Sequence, residues 1–121
     1  MKVTAEQNER VAKMTFSSVY PHYVDRLKRN GRTVEELHEV IEWLTGFNEE
    51  KLNHLIKENI SFQEFFERAT LNPKAETIKG TICGYRIEEI EFDLTRKCRY
   101  LDKLVDELAK GRKMEKIRRG D

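Results

Sequence analysis

"LTRKCRYLDKLVDELAK", residues Leu94 to Lys110, is the stretch that decides the fold. Leu94, Cys98, Leu101, Val105 and Leu108 recur at alternating spacings of four and three, which lays them along one stripe of an α-helix. Gly111 follows as a natural stop, because glycine enters the left-handed backbone that ends helices at little steric cost. At about 1.5 Å per residue the helix would span roughly 25 Å, long enough to be the spine of a small domain.

The segments before it read as shorter helices. Residues 1–15 are polar and weakly periodic, giving a flexible or partly helical arm. Pro21 suits a first helical position, so a helix is predicted from Pro21 to Asn30 with Gly31 behind it, burying Val24 and Leu27 with Tyr20 or Tyr23. Thr33-Val34-Glu35-Glu36 has the form of a capping box, and Val34, Leu37, Val40, Ile41 and Leu44 follow at helical spacing until Gly46. Asn48 is placed to cap a helix carrying Leu52, Leu55 and Ile56, while Ser61-Phe62-Gln63-Glu64 opens another with Phe62, Phe65, Phe66 and Ala69 inward. Short connections force these helices to be packed neighbours.

"NPKAETIKGTICGYRIEEIE", Asn72 to Glu91, is the exception to this pattern. Ile78, Ile82 and Cys83 fit one helical face, but Gly80 and Gly84 would each cost about 1 kcal/mol in a helix interior, so a short strand or irregular segment around 78–87 is equally open. The predicted fold is mainly α: one compact bundle of five or six helices over residues 16–111, followed by a basic C-terminal tail at 112–121.

Composition bounds the function. A chain of 121 residues forms one domain with a real core, and 38% hydrophobic against 37% charged residues places it in the soluble class, expected in the cytoplasm. No apolar run reaches the roughly 18 residues that span a bilayer, and the N-terminus lacks the apolar stretch of a signal peptide. Net charge is +1, yet Arg96 to Asp121 holds 10 Lys or Arg against 5 Asp or Glu, where residues 1–95 hold 13 against 17. That asymmetry points to a basic surface of Lys110, Arg112, Lys113, Lys116, Arg118 and Arg119.

Few residues suggest chemistry. Cys83 has Arg86 nearby and a glycine on its C-terminal side, as a thiolate site with backbone access would, but free cysteine is among the most buried residue types. Gly80 and Gly84, four apart, also suit close packing of one element on another, so Cys83 is predicted to be enclosed and Cys98 to lie in the core. Glu35 and His38 have the i, i+3 spacing of a di-iron helix, but that site needs a second such pair, so neither a metal nor a cofactor is predicted. A DNA-reading helix beginning Asn48-Glu49-Glu50 would set carboxylates against phosphates. The basic tail lacks aromatic residues for base stacking, which makes nucleic acid an unfavoured partner bound by phosphate contacts alone.

Four segments, "VYPHYV", "GRTVEELHEVIEWLTGF", "NPKAETIKGTICGYRIEEIE" and "RYLDKLVDELAKGRKMEKIRR", resemble a family of small bacterial proteins known as domain of unknown function 2200. The resemblance runs from about Met14 to Arg119. It implies one complete bacterial domain whose most characteristic segments hold Asn72-Pro73, Gly80, Cys83-Gly84 and Tyr100 to Lys103, and it transfers no catalytic residue. The resulting expectation is a non-catalytic binding or interaction protein, with homodimerisation as one mode. The alternatives are a small enzyme or ligand-binding protein with a pocket around Asn72, Gly80, Cys83, Gly84, Arg86 and Tyr100, and nonspecific nucleic-acid binding through the tail.

Overall fold

The computed structural model describes residues 2–120. The described residues form seven α-helices and one two-stranded antiparallel hairpin. Five precede the hairpin: α1 (Ala5–Lys13), α2 (Phe16–Arg29), α3 (Val34–Thr45), α4 (Glu49–Lys57) and α5 (Phe62–Arg68). A 3-10 turn at Pro73–Thr77 leads into β1 (Thr81–Ile82) and β2 (Tyr85–Arg86), and a second at Ile87–Glu89 leads out. The chain then forms α6 (Asp93–Ala109) and α7 (Met114–Ile117). The count exceeds the expected five or six because both ends of the chain add a helix. No helix among the described residues is long and apolar enough to cross a membrane.

The spine is α6, which packs on α1, α2, α3, α5, α7 and β1. Cys98, Leu101, Leu104, Val105 and Leu108 are buried along it, so the spacing read from the sequence becomes one seam of the core. Local signals set α3: Thr33 Oγ1 accepts from the Glu36 amide at 3.1 Å, while the Glu36 carboxylate accepts from the Thr33 amide at 3.0 Å. Asn48 caps α4 and Ser61 caps α5, although Glu64 turns its carboxylate to Arg68 at 2.9 Å.

Two helices differ from what the sequence predicts. The N-terminal arm closes a Thr4–Gln7 capping box and packs as α1 on α5 and α6. Helix α2 begins at Phe16 rather than Pro21, so the proline lies in its interior and leaves the Ser17 carbonyl without its i+4 amide. The Phe16 ring offsets that loss: it is fully buried and stacks on Phe65 with centroids 4.3 Å apart. Backbone bonds from Phe16 to Ile60 and from Phe62 to Met14, both 2.8 Å, tie the α1–α2 junction to the α4–α5 junction.

Candidate functional site

The segment from Gly80 to Arg86 folds as a tight hairpin with Thr81 opposite Arg86 and Ile82 opposite Tyr85. Its two loop residues, Cys83 and Gly84, have φ of 52° and 82°. Two successive positive φ values are the mark of a primed hairpin turn, whose twist matches that of the strands it joins. This overturns the prediction of an enclosed thiol. Cys83 stands exposed at the tip, and Gly84 supplies backbone freedom rather than close packing, since a Cβ there would meet nothing within 4 Å.

The hairpin is fastened to α6 from several sides. Lys103 Nζ donates to the Thr81 carbonyl at 3.1 Å, and the Gly80 amide donates to the Glu88 carboxylate at 3.1 Å. Ile87, fully buried, anchors the outgoing strand, and the Arg99 guanidinium sits over the Tyr85 ring at 5.7 Å. Behind Arg99, Asp102 accepts from Arg99 Nη1 at 2.7 Å and from the Tyr23 hydroxyl at 2.6 Å. Burial, reinforced by Asp102, holds the Tyr23 phenol well above its usual pKa range.

The predicted pocket residues divide between separate places. Gly80, Cys83, Gly84 and Arg86 share the hairpin, and Gly84 and Arg86 line a hollow of about 290 Å³ with Lys2, Thr81 and Glu89. Asn72 instead braces α3: its Nδ2 donates to the Trp43 carbonyl at 3.1 Å, and its Oδ1 accepts from the Lys74 amide at 2.8 Å. Tyr100 is buried in the core on α6.

A larger basin, of about 540 Å³, opens between the turn before the hairpin and the C-terminal half of α6. Lys79, Lys103, Lys110, Arg112 and Arg119 line it against two carboxylates, Asp106 and Glu107. Both carboxylates are buried and already partnered. Asp106 receives Arg26 at 2.6 Å and Lys110 at 3.1 Å; Glu107 receives Arg119 at 2.7 Å and Arg112 at 3.2 Å. Burial works against ionisation of Asp106, but the bonds from Arg26 and Lys110 outweigh it and hold the carboxyl below its ordinary range.

The basic tail residues therefore have different fates. Arg112 and Arg119 turn inward to Glu107, Arg118 pairs with Glu39 at 2.9 Å, and Ile117 is fully buried, so α7 docks on α6. Lys113 and Lys116 are exposed. Sequence reading missed Lys79 and Lys103; the signal for the second was its place with Glu107 and Lys110 on one helical face.

A family model described as "Uncharacterized protein conserved in bacteria (DUF2200)" matches residues 10–119. The chain belongs to this family. It is also similar to a solved crystal structure, "uncharacterized protein SP1917", with 35% identity, a TM-score of 0.84 and 90% of each chain covered. No curated protein matches. Neither description names a ligand or an activity, so the DUF2200 site must be read from its own geometry.

One further polar cluster in this DUF2200 chain serves the fold. His38, with a side chain 11% exposed, joins Tyr20 through Nε2 and Glu49 through Nδ1 at 3.1 Å, linking α2, α3 and the start of α4. With Nδ1 donating to the carboxylate, a neutral ring accepts from the Tyr20 hydroxyl at Nε2, an assignment in which both bonds are satisfied. Glu35 is exposed, whereas both ring nitrogens of His38 are taken by Tyr20 and Glu49; among the described residues no three or more His, Cys, Asp or Glu gather as a metal site.

Proposed function

We propose that this DUF2200 protein is a non-catalytic binding protein for small phosphate-bearing anions, held in the basin beside the hairpin. The observation that carries this is the charge balance there: five cations line the hollow against two buried carboxylates, and while Lys110, Arg112 and Arg119 pair with those carboxylates, Lys79 and Lys103 do not. Lys79 and Lys103 lie away from the C-terminal turn of α6, so attraction to the helix dipole does not account for them. Mixed lysine and arginine donors suit a multivalent oxyanion, which takes point charges and forked contacts together.

Neither a thiol nor an imidazole lines the basin, which favours binding over nucleophilic chemistry, and Cys83 lies outside it. Nucleic acid is the weaker reading because no aromatic residue lines the basin for bases to stack on. We expect the protein to act in the cytoplasm.

Calorimetric titration with inorganic pyrophosphate at about 0.15 M salt, where surface charges are screened beyond roughly 8 Å, tests the reading. Saturable binding is expected, weakened at least about tenfold by Lys79→Glu, a change of 1.4 kcal/mol or more. The reading fails if pyrophosphate does not bind, or if Lys79→Glu binds it as tightly as the parent. It fails equally if only an oligonucleotide binds and the sensitive positions are Lys113 and Lys116.

A further inference from the structure

A separate hollow, sharing no lining residue with the basin, lies between α1, β2 and the first half of α6. Its volume is about 220 Å³. This is below the roughly 300–1,000 Å³ usual for drug-sized ligands, so only a small molecule fits. Val3, Val11, Met14 and Tyr85 make its apolar wall, and Arg10 and Arg99 bring two guanidinium groups to it.

Three observations mark it as more than a packing defect. Asp102 takes only Nη1 of Arg99, and the Arg99 Nε is buried with no hydrogen-bond partner. A buried donor left unpaired costs roughly 1–3 kcal/mol, and Nη2, which makes no hydrogen bond among the described residues, is the charged donor left for an anion in the hollow. Arg10 brings a second positive charge from the last turn of α1. Met14, at the same hollow, is 44% exposed, the exception among large hydrophobic side chains of the described residues.

A purely structural role for Arg99 would need its pair with Asp102 and its seat over Tyr85, and both are present. Neither explains the unused Nη2 or the uncovered methionine. We infer that this hollow binds a small monocarboxylate with an apolar body, the carboxylate on Arg99 and Arg10 and the body against Met14, Val11 and Tyr85.

Titration with benzoate, followed by the methyl signal of Met14 in protein carrying ¹³C-labelled methionine methyls, tests this, with neutral benzyl alcohol as the matched control. A saturable shift of the Met14 signal, leaving Met114 unmoved, is expected. Benzyl alcohol should bind at least about tenfold more weakly, and Arg10→Gln should lower benzoate affinity by a similar factor, each equivalent to about 1.4 kcal/mol. Arg99→Lys, which keeps a charge beside Asp102 but loses the Nη2 donor, should weaken it as much. If Arg99→Lys does not fold, the exposed Arg10→Gln variant decides alone. Lys79→Glu should leave benzoate binding unchanged, which separates this site from the basin. The inference is overturned if the Met14 signal shows no saturable shift, if benzyl alcohol binds as well as benzoate, or if Arg10→Gln changes nothing.

Discussion

Lys103 Nζ reaches the Thr81 carbonyl at 3.1 Å, and through that bond the middle of α6 holds the hairpin that borders the basin. A charged donor on a surface carbonyl contributes about 1 kcal/mol, and here it also orders one of the basin cations. Lys103→Met should therefore lower global stability by about that amount. Amide exchange should speed most at Ile82 and Tyr85 of the hairpin, with little change at Leu104 in the core. Equal protection of the hairpin in parent and variant would show that the Lys103 bond does not hold it.

The two thiols should behave as opposites. Cys83 is exposed at the hairpin tip, whereas Cys98 is buried and its thiol is pushed far above the ordinary range, first by burial and then by Asp102. Since the thiolate is the reactive form, native protein should titrate one thiol with an aromatic disulfide reagent, and unfolded protein two. Cys83→Ser should abolish the native reaction and leave the melting temperature unchanged.

Asp106 gives the fold a defined acid limit. Its folded-state pKa lies below the ordinary carboxylate value, so the stability it contributes is fully present above about pH 4 and is lost as the pH falls through the lower, folded value. Urea unfolding between about pH 5 and 2 should show stability falling with acid, and Asp106→Asn should flatten that slope while lowering stability at neutral pH. An unchanged slope would mean that Arg26 and Lys110 do not favour the ionised form.

What the sequence disclosed follows from how local each feature is. The Thr33 capping box and the α6 stripe lie within a few residues of chain, so spacing alone revealed them. The start of α2 did not, because the rule that welcomes proline at a helix start is local, while Phe16 gains its place from Phe65, 49 positions away. The hairpin was half visible: Gly84 supplied one positive-φ residue, but a cysteine at Cys83 is not among the residues that usually accept the other. The basin was legible only on its α6 and C-terminal side, in the spacing of Lys103, Glu107 and Lys110 and the basic run that follows. Lys79 and Arg119 meet across it only because α7 folds back onto α6.

The amide spectrum of the ¹⁵N-labelled protein, recorded as pyrophosphate is added at about 0.15 M salt, tests the anion-binding account most directly. The account predicts saturable shifts clustered at Thr77, Lys79, Lys103 and Arg112, absent in Lys79→Glu. Shifts confined to Lys113 and Lys116, or none that saturate, would contradict it.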